Sequence, residues 1–224
     1  MTTEPPPPRP APTRPLPPRP APTAAPRPPR LRAASAEPAD YLAADEVIDH
    51  GHPEIRALAG RLRRDNPAES ARAAFEHVRD RVAHSADLGR WSGAYRASDV
   101  LAAGDAICHG KAHLLTAVLR AQGIPAGLCY QRLDVLHAMV AAHWPQPAGG
   151  GAWVRLDPRG NKPGVDARFA TDPAAERLAW PVDPARGEYW YDTVHPTTPD
   201  RLRTALAAAE PGRTGYGYYL PAEL

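Results

Sequence analysis

The sequence has little cysteine, little lysine and no long apolar run. Its two cysteines, Cys108 and Cys129, are too few for a disulfide framework, which indicates a reduced, cytoplasmic protein. No apolar run of about 7–15 residues follows a basic start, so no secretory signal is predicted. Nothing approaches the roughly 20 apolar residues of a membrane span, and we expect no membrane association.

Proline is concentrated at the N-terminus. Fourteen of the 29 prolines fall within residues 1–30, where PPRPAPT occurs at Pro7–Thr13 and again at Pro17–Thr23. Because this segment has almost no apolar side chains to bury, it cannot offset the entropy lost on ordering. We predict a disordered, polyproline-II-like tail over residues 1–36 and one folded domain over residues 37–224.

The tail also carries most of the positive charge. Residues 1–32 hold six arginines and one glutamate, a net charge of +5, so the rest of the +2 chain is at −3. That balance gives no indication of nucleic-acid binding. The segment Arg14–Pro20 resembles a ligand of SH3-type domains, but such a match arises easily by chance in a Pro- and Arg-rich tail. A solvated tail is therefore favoured over a dedicated tail partner.

Apolar spacing predicts helices in the first half of the domain, with an irregular loop over residues 84–97. The predicted helices run from Pro53 to about Asn66, from Ala71 to Val82, through Val100–Ala102 with caps at Ser98–Asp99 and Gly104, and over Ile107–Gln122 before Gly123. In the last of these, Cys108, Ala112, Leu115 and Leu119 form one inward stripe.

Strand patterns follow the helices. They cover Ala126–Leu133, Leu136–Trp144 and Ala152–Asp157, with a flexible hairpin loop over residues 145–151. Weaker patterns indicate a strand at Leu178–Val182 and a surface helix at Asp200–Ala209. Helices followed by an antiparallel sheet predict an α+β fold, with helices packed on a small antiparallel sheet.

Cys108 lies in the first turn of its predicted helix. Free amide groups and the helix dipole stabilise a thiolate there and can hold the oxyanion of a tetrahedral intermediate. A thiol nucleophile needs that environment, although most buried cysteines only fill space. Cys129, on a strand, is predicted to be structural.

The predicted hairpin supplies a base and an orienting carboxylate. If Trp144 faces Ala152, His137 lies one diagonal step from Asp157, about 7–8 Å between backbone positions. His143 lies about 20 Å further along the strand and cannot reach Asp157. The hairpin therefore presents one His–Asp pair to the thiol, as in a catalytic triad.

Three separated blocks resemble the transglutaminase-like superfamily. Ala106–Ala112 with Leu119–Ala126 resembles its nucleophile helix, His137–Val140 its His strand, and Trp153–Pro158 its Asp strand. Tyr130–Leu133 and Asp157–Lys162 resemble a bacterial stand-alone branch. The likeness covers roughly residues 41–182 and implies a papain/transglutaminase-like core, with residues 37–224 as the catalytic domain.

This resemblance implies Cys108 as nucleophile, His137 as general base and acid, and Asp157 as orienter, with no cofactor. The implied reaction is acyl transfer or hydrolysis of a peptide or small-molecule amide through a Cys thioester. Ala106 departs from the Gly that many members have before the nucleophile. Trp91 and Gln131 are the candidates for a side-chain oxyanion donor, although packing roles are favoured for both.

Other interpretations stay open. Lys111, one of two lysines in the sequence, could favour the thiolate or bind a substrate carboxylate, or be a solvated helix residue. His109 and His113 have a spacing that can bind zinc, but no third ligand is evident and we predict no metal. A non-catalytic transglutaminase-like scaffold or binding module is the main alternative to an enzyme.

Overall fold

The computed structural model describes residues 26–89, 92–146, 149–210 and 220–224. The helices are α1 (Pro53–Leu62), α2 (Pro67–Arg81), α3 (Ser85–Leu88), α4 (Ala97–Ala103), α5 (Cys108–Ala121) and α6 (Asp200–Ala207). The strands are β1 (Arg32–Ala33), β2 (Ala83–His84), β3 (Asp105–Ala106), β4 (Ala126–Arg132), β5 (Leu136–Pro145), β6 (Gly151–Leu156), β7 (Tyr189–Trp190) and β8 (Thr193–Val194).

A four-stranded antiparallel sheet, in the order β6-β5-β4-β7, forms the second half of the domain. Its alternating side chains define two faces. Leu128, Tyr130 and Val140 belong to the main core with the helices, whereas Cys129 and Met139 belong to a smaller cluster on the outer face. The fold is α+β, with helices packed on a small antiparallel sheet.

Helix α5 lies at the centre of the fold. It contacts α1, α2 and α4 as well as β4 and β5, and its residues from Cys108 to Arg120 are buried. The prediction of one inward stripe is therefore too narrow, because the helix is covered on all sides. Buried polar side chains on this helix bond to carbonyls where they can, as Arg120 does to those of Ala43, Ala126 and Pro196.

Local signals explain where the helices begin and end. Helix α2 begins at Pro67. Its N-cap is Asn66, whose side chain accepts a hydrogen bond from the Glu69 amide at 2.8 Å. Gly104 ends α4 at φ +69°, as predicted. The start of α4 differs from the prediction: Arg96 is the N-cap, and Ser98 bonds to Asp49 instead of capping the helix.

Three element predictions need correction. Residues 178–182 form no strand, and the sheet is completed by Tyr189–Trp190 instead. The predicted loop over residues 84–97 begins with helix α3. The helix at Asp200–Ala207 is present, but Leu202 and Leu206 are buried in the main core, so only part of it is surface.

The predicted tail, residues 1–36, includes a stretch that packs on the domain. Residues 1–25 of the predicted tail lie outside the described residues. Arg32–Ala33 pairs with β8 in parallel, Leu31 is buried in the outer cluster, and the Pro29 carbonyl accepts a hydrogen bond from Arg155 at 2.7 Å. Residues 29–33 pack on the domain because Leu31 has an apolar cluster to cover.

Candidate active site

Cys108 is the first residue of α5. Its N-cap, Ile107, has extended backbone angles and makes no side-chain capping bond, which leaves amide groups of the first turn available to an anion. Strand β3 ends at Ala106, so the chain passes directly from this strand into the first turn of α5. The thiol therefore lies at the positive end of a buried helix dipole, where the sequence predicts it.

His137 and Asp157 meet as the hairpin register requires. Trp144 pairs with Ala152 and Val140 with Leu156, so β6 ends one residue before Asp157. His137 Nε2 bonds to Asp157 Oδ2 at 2.9 Å. Backbone amides hold the carboxylate in place: Ala179 donates to Oδ2 at 3.0 Å and Arg159 to Oδ1 at 3.1 Å. This bond fixes the imidazole ring through Nε2, and Nδ1 is the ring nitrogen that does not bond to Asp157.

The charges around the thiol support a thiolate–imidazolium pair. Burial disfavours both charged forms, but Asp157 and Cys108 outweigh it and raise the pKa of His137 to about 10. For Cys108, burial is again opposed, by His109 and His137, and its pKa falls well below the ordinary value. Cys108 and His137 each shift the pKa of the other, so the thiol lies within electrostatic reach of the imidazole that bonds to Asp157.

Two further imidazoles lie at the sulfur. The Nδ1 atom of His109 is 3.4 Å from the Cys108 sulfur. Burial lowers the pKa of His84 and Cys108 acts against it, so that ring also lies within electrostatic reach of the thiol. Sequence reasoning missed both roles. The available signal for His109 was its adjacency to the nucleophile, whereas His84 reaches the site through the two-residue pairing of β2 with β3.

The ring of His113 is not available to bind zinc, which removes one of the two ligands that the zinc interpretation needs. Both ring nitrogens of His113 are engaged, Nδ1 with the Tyr95 carbonyl at 2.7 Å and Nε2 with the Thr198 hydroxyl at 3.1 Å. Burial, the largest cause, lowers the pKa of His113 to about 4, so this ring is a neutral core histidine. Across the described ranges, His, Cys, Asp and Glu side chains do not cluster into a metal site.

The family model for the transglutaminase-like superfamily matches residues 56–158, which include most of α1, the nucleophile helix and both strands of the His–Asp hairpin. This segment belongs to the transglutaminase-like superfamily. The match ends one residue after Asp157, so all three predicted catalytic positions lie inside it. No curated protein matches the chain.

Solved structures resemble part of the transglutaminase-like domain. A candidate cysteine protease from Cytophaga hutchinsonii is 20% identical, with a TM-score of 0.45 over 56% of this chain and 43% of that one. The periplasmic domain of TgpA from Pseudomonas aeruginosa is 24% identical, with a TM-score of 0.42 over 55% of this chain and 48% of the other. The chain thus spans less than half the length of both.

Within the part of the chain that the structure describes, every helix is too short or too polar to cross a bilayer.

The departure at Ala106 from the superfamily pattern has a local compensation. Among the described non-glycine residues, Ala106 included, none has positive φ, so the turn before Cys108 needs no glycine conformation. A Cβ added at Gly110 would come within 2.7 Å of the Ala106 Cβ and 2.8 Å of the Ala94 carbonyl. The methyl of Ala106 therefore occupies space that Gly110 leaves empty, one turn into the helix.

Lys111 is not the solvated helix residue that one interpretation expects. Its side chain is fully buried, and Nζ donates to the carbonyls of Arg79 and Val82 at the C-terminal end of α2. Burial, the largest cause, lowers the pKa of Lys111 to about 7. The Lys111 amino group therefore hydrogen-bonds to carbonyls at the end of α2 instead of facing solvent or substrate.

Of the two candidates for a side-chain oxyanion donor, the structure describes Gln131. Trp91 lies outside the described residues. Gln131 is buried directly opposite His137 on β4, and its amide nitrogen donates to the Trp180 carbonyl at 3.3 Å. This bond uses one of the two N–H groups of the Gln131 amide.

Proposed function

We propose that this protein is a thiol-dependent amide-bond enzyme that works through a thioester on Cys108. The observation that carries the proposal is the 2.9 Å bond between His137 and Asp157 beside a thiol at the first turn of α5. A nucleophile, a base and an orienting carboxylate in this arrangement are the parts of a cysteine triad. Membership of residues 56–158 in the transglutaminase-like superfamily supports the same chemistry.

In the proposed first step, the Cys108 thiolate attacks an amide carbonyl of a peptide or small molecule. The amide groups at the start of α5 stabilise the resulting oxyanion. His137 then donates its proton to the departing amine or ammonia, and the C–N bond breaks to leave a thioester. Asp157 keeps the imidazole oriented and stabilises its charged form.

The second step frees the enzyme. Water attacking the thioester completes a hydrolysis, and an amine attacking it completes an acyl transfer. In either case His137, neutral after the first step, takes the proton of the attacking group, and Cys108 leaves as a thiolate.

The thioester can be trapped directly. Wild-type protein is incubated with glutamine-containing peptides or aliphatic amides, quenched in acid and weighed by intact mass spectrometry, with Cys108→Ala and Cys129→Ala alongside. We expect an acyl adduct on wild type and on Cys129→Ala but not on Cys108→Ala. Adding methylamine to the reaction then separates acyl transfer from hydrolysis by product mass. An adduct that persists in Cys108→Ala would end the proposal.

One observation favours a second function, a non-catalytic binding scaffold. Cys108 and His137 are only 5% and 4% exposed, so little of either side chain meets solvent. A scaffold has no need of an accessible thiol. If iodoacetamide modifies Cys108 no faster than an unstructured thiol at pH 7, the scaffold is the better account.

A further inference from the structure

A polar cleft of about 270 Å³ opens beside the thiol. It lies between the C-terminal end of α2 and the turn that follows Asp157, and it is called the α2 cleft below. Its lining is mostly polar and charged: Arg79, Asp80, Val82, Ala83, His84, Asp87, Arg159, Gly160 and Asn161. Such a lining suits a polar acyl chain, such as a peptide, better than a fatty one.

His84 connects this cleft to the nucleophile. It pairs with Ala106 across β2 and β3, two residues before Cys108, and it is 7% exposed. It lines the α2 cleft, and Cys108 acts on its pKa against the larger effect of burial, so its ring lies within electrostatic reach of the thiol. Cys108 itself does not line the cleft, so His84 stands between the cleft and the sulfur.

Helix α3 engages one ring nitrogen of His84 and leaves the other, Nε2, for the site. His84 is the N-cap of that helix, and its Nδ1 accepts a hydrogen bond from the Ala86 amide at 3.3 Å. An acceptor Nδ1 in a neutral ring means that Nε2 carries the proton. Burial, the largest cause, lowers the pKa of His84 below 6.5, which keeps the ring neutral at pH 7. His84 therefore presents an N–H donor to the site and cannot act as its base.

We propose that His84 is the side-chain donor to the oxyanion of an acyl group that reaches Cys108 through the α2 cleft. This inference rests on the proposed function of Cys108. When the sulfur bonds to the carbonyl carbon, the C=O electron pair moves onto oxygen, and the Nε2–H of His84 donates a hydrogen bond to that oxygen. No proton leaves His84 in this step. A fixed neutral donor of this kind stabilises the transition state because it needs no reorganisation.

The test compares two substitutions of similar shape that differ in their donor. Glutamine places an N–H near the position of His84 Nε2, whereas methionine has none. With p-nitrophenyl acetate as probe, we measure the p-nitrophenolate released in the first turnover by wild type, His84→Gln, His84→Met and a control, His77→Met, on the outer part of α2. We expect His84→Met to slow acylation by about 10²–10³-fold, chiefly in the rate at saturation, and His84→Gln to recover most of it.

Each contrary outcome has one meaning. If wild type gives no burst, the proposed function fails. If wild type gives a burst and His84→Met matches it, or if His84→Gln is as slow as His84→Met, the donor role is wrong. Melting temperatures verify folding. If neither variant folds, wild type carrying ¹⁵N-histidine is treated with propionaldehyde, whose hemithioacetal oxyanion should move the His84 Nε2–H resonance downfield. An unmoved resonance overturns the inference.

Discussion

The first turn of α5 and the outer face of the sheet each bury one cysteine, with opposite results. Cys129 lies among Leu31, Tyr41 and Met139, and burial, the largest cause, raises its pKa to about 12. Cys108 is buried among imidazoles, and its pKa falls well below the ordinary value although burial opposes this. Burial alone makes a thiol inert, and only nearby positive charge makes a buried thiol reactive.

The largest effect should come from alkylating the two cysteines in competition. At pH 6 we expect iodoacetamide to modify Cys108 on the order of 10³-fold faster than Cys129, because only the thiolate reacts. Peptide mass mapping over time measures both rates in one sample. Between pH 6 and 8 the Cys108 rate should change little, whereas an ordinary thiol gains about tenfold per unit. Equal rates would remove the contrast between the two sites.

Removing the carboxylate behind His137 should make Cys108 behave more like Cys129. Asp157→Asn takes away the charge that raises the pKa of His137, so the imidazolium that stabilises the thiolate weakens. We expect turnover to fall by about 10²-fold or more and the alkylation profile of Cys108 to move to higher pH. Asp166→Asn, at an exposed carboxylate, is the matched control and should change neither. An unshifted profile in Asp157→Asn would show that Asp157 does not act through His137.

A smaller effect tests whether burial also shifts the pKa of an amine. Lys111 is buried on the same helix as Cys108, and burial is the largest cause lowering its pKa from 10.5 to about 7. Between these values the unfolded chain binds one proton more than the folded protein, so stability should rise with pH. In Lys111→Met that rise should shrink by up to about 1.4 kcal/mol per pH unit, measured by urea unfolding from pH 7.5 to 9.5.

The difference between variants isolates Lys111, because wild type and variant share the Cys108–His137 pair. Lys162→Met, at the only other lysine, lies on the surface and should leave the slope unchanged. A slope that is the same in Lys111→Met and wild type would mean that the buried amine titrates as it does in water.

The hairpin was predictable from sequence because a Gly-rich loop separates two alternating runs. Counting from that loop places Trp144 opposite Ala152, and the structure has the same pair. The nucleophile helix was predictable as well, because its apolar residues continue to Gly123 and no strand period competes. Both elements have long local patterns, and the geometry of the three predicted side chains follows from them.

The surroundings of the thiol could not be predicted. His84 reaches Cys108 through a parallel pairing of two residues, which is too short to leave a periodic pattern. Strand β7 is equally short. From its sequence context Lys111 looks like an ordinary exposed helix residue, although in the structure α2 buries it. These features depend on contacts between distant parts of the chain, which one sequence does not encode locally.

The stretch from Pro29 to Ala33 has a practical consequence for anyone shortening this chain. The composition places the start of the domain at residue 37, yet Leu31 covers the outer cluster and β1 adds to β8. A version that begins at residue 37 would bare apolar side chains on a sheet and free the edge of β8. Molecules with such surfaces tend to associate, so we expect a version that begins at residue 37 to aggregate more readily than one that keeps residues 29–33.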